Sequence, residues 1–227
     1  MAEPRRVREH NAKATQEAIL NAAEAIFAEH GFDGARIDAI AAEAGYNKSL
    51  IGQYFGDKLG LYAEVLKRVD REITELQTRF NAYLLEDESI ASNAHIFKAF
   101  LETAIGTLFD YLFAHPRFMR MLTWEMAEGW QTYAKAIPQL QVEDNEPFEA
   151  LFHKVHSAGL LRSGFFTLIQ LTMILQICQS YLAYLPLYQM VLPGEDVSST
   201  QAIARAREYI VTFIVAGMMV DPPEMLP

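Results

Sequence analysis

The stretch Ala41–Lys58 restricts the fold most, because it places two helices around one tight turn. It reads AAEAGYNKSLIGQYFGDK, in which one helix ends at Ala-Gly and Asn47 precedes the next helical run. The Asn47 side chain is suited to cap that helix, since its oxygen accepts hydrogen bonds from exposed backbone amides. The stretch is therefore predicted to form a helix-turn-helix. The apolar residues predicted to hold its helices in their crossing are Ile40, Ile51 and Phe55.

Helical periodicity continues on both sides of this stretch. Between about residues 13 and 30, apolar side chains recur on one helix face, at Ile19, Ala22, Ala23, Ile26 and Phe27. Gly31 follows at the point where a helix end favours a left-handed residue. A short helix is predicted over 36–44, and Asp57 is suited to cap a longer one. Residues 1–57 are therefore predicted to fold as a compact head of three helices.

The remainder of the chain is longer, more apolar and more aromatic than this head. Its periodicity predicts helices over about 89–114, 117–136, 146–158, 166–184 and 199–219, with prolines between them. Pro186 is predicted to end the fourth of these helices. No strand-like alternation of useful length occurs. The chain is therefore predicted to be all-α, with a helix-turn-helix head over 1–57 and a larger helical domain over 58–227.

The single cysteine, Cys178, excludes an internal disulfide and leaves too few sulfurs for a cysteine-built zinc site. A chain without disulfides is typical of a reducing cytoplasm, which is the predicted location. His153 and His156 lie three residues apart on a predicted helix, but no third ligand is evident, so no metal site is predicted. No glycine-rich phosphate loop, nucleophile elbow or catalytic triad occurs. The sequence therefore predicts neither a cofactor nor an enzyme.

The formal net charge of −10 argues against a nucleic-acid partner only if the charge is spread evenly. Phosphates respond to local charge, and a small basic face is sufficient. Residues 1–13 hold the basic Arg5, Arg6, Arg8 and Lys13 against the acidic Glu3 and Glu9. This arm has two interpretations that stay open: a solvated segment, or an extra contact to phosphate or the minor groove.

One uncharged stretch, 163–194, is long enough to span a bilayer. Pro186 breaks it, and polar side chains interrupt it at Gln170, Thr172, Gln176, Gln179 and Ser180. A buried core or interface helix is therefore preferred over a membrane span. No membrane partner is predicted.

The helix that follows the turn has a size that fits the major groove of B-DNA. Its N-terminus carries free amides and the positive end of the helix dipole, and both favour phosphate. Lys48 is interpreted as a DNA contact rather than an ordinary solvated lysine. The other side chains predicted to reach bases or the phosphate backbone are Asn47, Ser49, Leu50, Gln53, Tyr54 and Lys58.

The stretch from about Thr15 to Val65 resembles the tetracycline-repressor (TetR) family of regulators. The family pattern has an Ile-Leu-x-x-Ala start, a Phe-x-x-x-Gly helix end, an Ile-Ala-x-x-Ala-Gly turn and a Phe-x-x-Lys-x-x-Leu segment. The residues that fill it are Ile19, Leu20, Ala23, Phe27, Gly31, Ile40, Ala41, Ala44, Gly45, Phe55, Lys58 and Leu61. So many matches over one continuous stretch are more specific than a generic helix-turn-helix pattern.

Three positions depart from the family pattern. Ala35 and Arg36 stand where the family usually opens the second helix with Thr or Ser, so the hydroxyl cap is predicted to be lost and Arg36 to contact phosphate instead. Gly52 replaces a tyrosine that usually touches the DNA backbone, and Tyr54 is expected to carry more of that contact. Asn47 stands in for the usual serine at the start of the recognition helix, which preserves the cap.

The resemblance implies a homodimer, usually a repressor, that leaves a palindromic operator when a small molecule binds its C-terminal domain, here 58–227. Two heads along one duplex also multiply specificity, because a single short helix reads few bases. The dimer surface is predicted on the helices at about 166–184 and 199–219. The residues predicted to line the effector site are Phe97, Phe109, Phe118, Met121, Trp124, Met173, Gln176 and Tyr181.

Two alternatives to this repressor stay open. One is a helical small-molecule-binding protein or enzyme that does not bind DNA, against which the absence of catalytic motifs counts. The other keeps DNA binding but makes the chain an activator or a regulator that needs a co-repressor. The sequence does not separate the second alternative from simple repression.

Overall fold

The computed structural model describes residues 5–69, 71, 90, 92–139, 146–162 and 167–220 of the 227-residue chain. Within these ranges the secondary structure is helical, apart from an isolated antiparallel bridge between Leu161 and Met219, so the all-α prediction is confirmed. The helices are α1 (Arg5–Gly34), α2 (Ile37–Ala44), α3 (Lys48–Phe55), α4 (58–69), α5 (Ala94–Ala114), α6 (Pro116–Ala127), α7 (Gln131–Ala136), α8 (Glu146–Ser157), α9 (Thr167–Val191) and α10 (Thr200–Met218).

Two predicted helix boundaries are wrong at the start of the chain and at its centre. The first helix begins at Arg5 instead of residue 13, and Gly31 marks its predicted break with a φ of 68°. The single helix predicted over 117–136 is two helices, α6 and α7. Gly129 and Trp130 both have left-handed backbones, with φ of 68° and 63°, and the Trp130 amide donates to the Glu125 carbonyl at 2.7 Å. This is a helix-ending pattern that the apolar periodicity does not reveal.

The prediction that Pro186 ends its helix is also wrong, since α9 runs through it to Val191. A proline inside a helix removes one backbone hydrogen bond and crowds the preceding turn. Aromatic side chains on the two sides of the proline lie close to one another. The ring of Tyr188 lies 5.9 Å from that of Tyr181 and 6.2 Å from that of Tyr184, centre to centre.

The chain divides into two compact units, and the first unit comprises Met1–Glu75 and Pro116–Glu143. Its core combines one apolar face from each of α1 to α4 with residues of α6 and α7. The fully or nearly fully buried members of this core include Ile19, Ala23, Phe27, Ile40, Ile51, Leu61, Val65, Met121 and Ala136. The first three helices are thus packed together with α6, which lies far away in sequence. The predicted division at residue 57 stays a prediction.

The second unit comprises Leu76–His115 and Asp144–Pro227. In it α5 packs against both α9 and α10, with Phe97, Phe109 and Ile214 among the buried side chains. Cys178 of α9 is fully buried, and burial raises the pKa of its thiol to about 12, which keeps it protonated. The bounds of α8 and α10 agree with the predicted 146–158 and 199–219.

Candidate nucleic-acid interface

The turn between α2 and α3 is closed by Gly45. Its φ of 72° and ψ of 23° are left-handed, and its backbone N–H donates to the carbonyl oxygens of Ala41 and Ala42. Residues with a β-carbon rarely adopt this conformation, whereas glycine adopts it without strain. The turn therefore ends α2 at Ala44 and lets α3 begin at Lys48, in agreement with the predicted helix-turn-helix.

Asn47 caps the N-terminus of α3, which confirms the sequence prediction. Its backbone is extended, and its Oδ1 accepts a hydrogen bond from the Leu50 amide at 3.1 Å. The Ser49 hydroxyl donates to the same oxygen at 2.5 Å. The cap satisfies one of the amides that a helix start leaves open, and it fixes two of the predicted DNA-contacting side chains at that start.

The two faces of α3 have different environments. Ile51 is 1% exposed in the core of the first unit, together with Ile40, and Leu50, Tyr54 and Phe55 are partly buried against that core. The residues of α3 that face solvent are Lys48, Ser49, Gly52 and Gln53. The helix is therefore held by its apolar face, and the polar face of its first turns is open to a ligand.

The two lysines predicted to contact DNA are the first residue of α3, Lys48, and the first residue of α4, Lys58, and each has a partner. Lys48 Nζ lies 3.1 Å from a carboxylate oxygen of Asp38, and both side chains are well exposed. Lys58 Nζ donates to the Asp33 carbonyl at 3.3 Å and lies 4.6 Å from the centre of the Phe32 ring. Sequence reasoning missed both contacts, because each joins residues of different elements and no local spacing signals them.

Arg36 is the N-cap residue of α2 and is exposed. Its backbone is extended, and it makes no side-chain cap hydrogen bond, in line with the predicted loss of a hydroxyl cap. Asp38 in the first turn supplies a negative charge, which the positive end of the helix dipole favours. The Arg36 side chain is therefore exposed at the start of α2 and is not used to cap that helix.

A buried carboxylate fixes α4, the helix that follows the helix-turn-helix. Glu125 of α6 is only 2% exposed, and one of its oxygens accepts a hydrogen bond from the Tyr62 hydroxyl at 2.5 Å. The other oxygen accepts from the Tyr133 amide at 3.0 Å, which caps the first turn of α7. Burial and the Glu125 carboxylate both raise the pKa of Tyr62, so this tyrosine stays protonated and donates.

Both groups that donate to the Glu125 carboxylate are uncharged, the Tyr62 hydroxyl and the Tyr133 amide. Burial and the negative charges of Asp33 and Glu125 raise the pKa of the nearby Glu128 carboxyl. Trp124 of α6 contacts α1 twice. Its Nε1 donates to the Ala28 carbonyl at 3.3 Å, and its ring lies against Gly31.

The residues predicted to line an effector site are distributed over both units. Phe118, Met121 and Trp124 belong to the first unit, and Met121 is part of its core. Phe97, Phe109, Met173, Gln176 and Tyr181 belong to the second unit. There the Phe109 and Tyr181 rings lie 6.2 Å apart, while Phe97 stacks on Phe100 and Met173 is 52% exposed. The effector-binding role of all eight residues stays a prediction.

Large apolar side chains are exposed along α9 and α10 of the second unit. On α9 five of them lie on one helix face, at Ile169, Met173, Tyr184, Leu187 and Val191, and Leu168 and Met190 are exposed as well. On α10 the stacked rings of Tyr209 and Phe213 are 72% and 58% exposed. Among the described helices, α9 is the one long and apolar enough to cross a membrane, and 17% of its apolar stretch is buried. Groups of three or more possible metal ligands are absent from the described ranges.

The comparisons with known families agree with this geometry. Residues 19–65 match the family described as "Bacterial regulatory proteins, tetR family", and residues 98–214 match "Tetracyclin repressor-like, C-terminal domain". The second match alone covers more than half of the chain. The chain belongs to the TetR family.

Two curated TetR-type relatives share part of the sequence. The HTH-type transcriptional repressor SCO4008 of Streptomyces coelicolor is 40% identical over 116 residues, which is 51% of this chain and 52% of the relative. The HTH-type transcriptional repressor NicS of Pseudomonas putida is 29% identical over 119 residues, 52% of this chain and 51% of the relative. The matched segments thus span about half the length of these relatives.

Solved structures resemble the chain over nearly its whole length. SCO4942 of Streptomyces coelicolor, described as a transcriptional regulator, is 25% identical with a TM-score of 0.59, covering 90% of this chain and 98% of that one. SmeT, the repressor of the Stenotrophomonas maltophilia multidrug efflux pump SmeDEF, is 21% identical with a TM-score of 0.54, covering 95% and 97%. At 21% identity, the similarity to SmeT supports the fold alone.

The three departures from the TetR pattern have distinct structural outcomes. Asn47 performs the capping role expected of the usual serine. Arg36 leaves α2 without a side-chain cap. A β-carbon built on Gly52 meets no atom within 4 Å, so the surface where the TetR family usually has a tyrosine is open here. The exposed face of α3 therefore lacks the side chain that the family pattern predicts at this position.

Proposed function

We propose that this TetR-family chain is a transcriptional repressor that binds a palindromic DNA operator as a homodimer and is released by a small molecule. The observation that carries the proposal is the start of α3. Its apolar face is anchored in the core through Ile51, while Lys48, Ser49 and Gln53 face solvent beside a capped helix N-terminus. Both curated relatives are named repressors.

The DNA contacts divide into phosphate and base contacts. Lys48, Arg36 and Lys58 bind the phosphate backbone, because their positive charges flank the recognition helix. The contacts to base edges and thymine methyls come from Asn47, Ser49, Leu50 and Gln53. Tyr54, which is partly exposed, contacts the phosphate backbone in place of the tyrosine that Gly52 replaces.

The homodimer forms through the exposed faces of α9 and α10, within the predicted segments 166–184 and 199–219. An apolar row of this length is costly to leave in water, and a second copy of the chain offers a matching row. Burial of α9 in a dimer accounts for its exposed apolar side chains without a membrane span. The chain also belongs to a family of DNA-binding regulators. We accordingly place the protein in the cytoplasm.

The effector is a small molecule bound in the C-terminal part of the chain, with Phe109 and Tyr181, whose rings lie 6.2 Å apart, among its proposed neighbours. It acts by favouring a state in which the two heads no longer match adjacent grooves, and its effect is limited by its differential affinity for the two states. The chain itself performs no chemistry in this scheme. A helical ligand-binding protein or enzyme without DNA binding is the alternative.

The test is a selection of fragmented source-genome DNA by the purified protein, followed by sequencing. We expect a few enriched palindromic sites, and we expect Lys48→Ala to lose them. Lys98→Ala is the matched control, because it removes a lysine of similar exposure from α5 in the second unit. Affinity should also fall with salt, by about 0.9 log units per log unit of salt for each phosphate contact.

The outcomes separate the proposal from its alternative. Enrichment that Lys48→Ala abolishes and Lys98→Ala preserves supports the repressor. If the wild-type protein enriches no site, with or without a panel of metabolites as co-repressors, the DNA-binding role is overturned. Small-molecule binding by the full chain that enriches no DNA site would then favour the helical binding protein.

A further inference from the structure

The ion pair between Lys48 and Asp38 joins the two helices of the helix-turn-helix. Lys48 is the first residue of α3, and Asp38 lies in the first turn of α2. The Nζ–Oδ1 distance is 3.1 Å, and the side chains are 65% and 63% exposed. The cation that the sequence singles out for DNA is therefore already bound to a carboxylate on the same solvent-facing surface.

A carboxylate and a DNA phosphate compete for the same ammonium group. Both are anionic oxygen acceptors, and an ammonium whose charge is neutralised by a carboxylate displaces fewer counterions when it meets a phosphate. An exposed pair such as this one is weak, so DNA can break it. Lys48 can thus exchange from Asp38 to DNA, but the exchange returns an uncompensated negative charge to the protein surface.

We propose that Asp38 is a positioning residue that competes with DNA for Lys48 and holds down the sequence-independent affinity of the protein for DNA. The inference rests on the proposed DNA-binding role of Lys48. Asp38 keeps the lysine at the start of α3 and removes one unit of charge from the binding face. Contacts from uncharged side chains to base edges, such as those proposed for Gln53, are left unaffected by this competition.

A general effect of negative charge must be separated from competition for Lys48. Glu43 makes that separation possible, because it lies on the same helix, is exposed, and makes no ion pair with any residue in the described ranges. Asp38→Asn and Glu43→Gln each remove one negative charge and keep the size of the side chain. Only the first of these frees Lys48.

The experiment measures binding of the full chain to a fluorescent random-sequence duplex over a salt series, by anisotropy. For Asp38→Asn we expect a salt slope steeper than wild type by about 0.9, that is, one further phosphate contact. Its gain in affinity over wild type then shrinks about 3.5-fold between about 50 mM and about 200 mM salt. Glu43→Gln should keep the wild-type slope. Because the slope does not depend on the active fraction, partial misfolding of a variant does not imitate the result.

The same two substitutions are then compared in a Lys48→Met background. With the lysine gone, Asp38→Asn and Glu43→Gln should change affinity equally, which is the expected double-mutant result for an interaction that acts through Lys48. Equal slopes for Asp38→Asn and Glu43→Gln in the wild-type background overturn the inference while leaving DNA binding intact. If neither wild type nor any variant binds the duplex at any salt, the proposed function itself fails, and the inference fails with it.

Discussion

The two units of this chain hide their apolar side chains to different degrees. In the first unit, no large hydrophobic side chain in the described ranges is more than 43% exposed, and Ile137 sets that limit. In the second unit, Met190 and Tyr209 reach 77% and 72%. Both belong to helices that also contribute to a buried core, through Cys178 on α9 and Ile214 on α10. The first unit therefore covers its large apolar side chains better than the second, whose exposed apolar surface is of the kind that marks an interaction site.

The two units also differ in how deeply their charged side chains are buried. In the first unit the Glu125 carboxylate is buried and receives two hydrogen bonds. Arg68 of α4 is 18% exposed, pairs with Glu24 of α1, and donates to the Asn21 side chain at 2.6 Å. In the second unit the bidentate pair of Arg207 and Asp110 is more exposed. Polar contacts thus fix the helices next to the DNA-binding motif more firmly than those of the proposed dimer surface.

The largest effect is expected from a double substitution that disrupts the proposed dimer surface. Tyr209→Glu with Phe213→Glu puts two charges on the exposed face of α10. If that face is buried between two copies, the dimer dissociation constant should rise by at least about 100-fold, because a charge enters an apolar contact. Sedimentation over a concentration series measures this change, and operator binding should weaken with it.

Gln201→Glu is the control for that experiment. It adds a charge to an exposed position at the start of the same helix, away from the stacked rings. A dimer that tolerates the double substitution as well as it tolerates Gln201→Glu would place the interface elsewhere and remove the contrast between the units.

The next largest effect is expected on stability, from a substitution in the buried core of the first unit. Tyr62→Phe removes the hydroxyl that donates to Glu125 and leaves a buried carboxylate with one donor fewer. We expect a loss of about 2 kcal/mol in the free energy of unfolding, which chemical denaturation measures. Tyr46→Phe is the matched control, because its exposed hydroxyl only accepts a long 3.4 Å hydrogen bond from Thr15, and its effect should stay within about 0.5 kcal/mol.

The free energy of unfolding at alkaline pH is a second measurement of the same prediction. The pKa of Tyr62 is raised in the folded protein, so above the ordinary tyrosine pKa the native state binds more protons than the unfolded one. The resulting stability is complete below about pH 10 and is lost above it, by up to about 1.4 kcal/mol per pH unit. Tyr62→Phe should flatten this loss. Identical alkaline slopes for wild type and variant would contradict the assignment of the buried hydroxyl.

Sequence reasoning succeeded where the determining interactions are local. Asn47 caps the helix that begins one residue later, and Gly45 adopts the left-handed conformation that an Ala-Gly helix end requires. The apolar stripe of α1 and the bounds of α8 and α10 likewise depend on residues three or four apart. Such features are decided by spacing and backbone conformation, both of which can be read from the chain.

Features decided by distant residues were missed. The continuation of α9 through Pro186, by contrast, was missed for a local reason, because a proline alone favours the end of a helix. The left-handed Trp130 is held by a hydrogen bond to Glu125, whose side chain also binds Tyr62 on another helix. The Lys48–Asp38 pair likewise depends on how α2 and α3 cross. The position of the candidate site was therefore predictable, but the partners of its residues were not.

The smallest expected effects come from one glycine in each unit. In α3, a β-carbon at Gly52 meets open space, so Gly52→Ala should stabilise the chain by about 0.5–1 kcal/mol through helix propensity. In α5, a β-carbon at the buried Gly106 overlaps the guanidinium group of Arg207, whose Cζ lies 2.8 Å away. Gly106→Ala gains the same propensity but displaces Arg207 from Asp110, an exposed pair contributing up to about 1 kcal/mol.

The two substitutions should therefore differ although they make the same chemical change. Gly106→Ala is expected to alter stability by no more than about 0.5 kcal/mol in either direction, because the two contributions nearly cancel. Thermal unfolding of both variants beside wild type measures the difference. If Gly106→Ala costs more than about 2 kcal/mol, the Arg207 side chain has no other low-energy position, and the second unit is packed as tightly there as the first unit is around Glu125. If instead both variants gain equally, the Arg207–Asp110 pair contributes nothing, and the contact of α5 with α10 depends on apolar side chains alone.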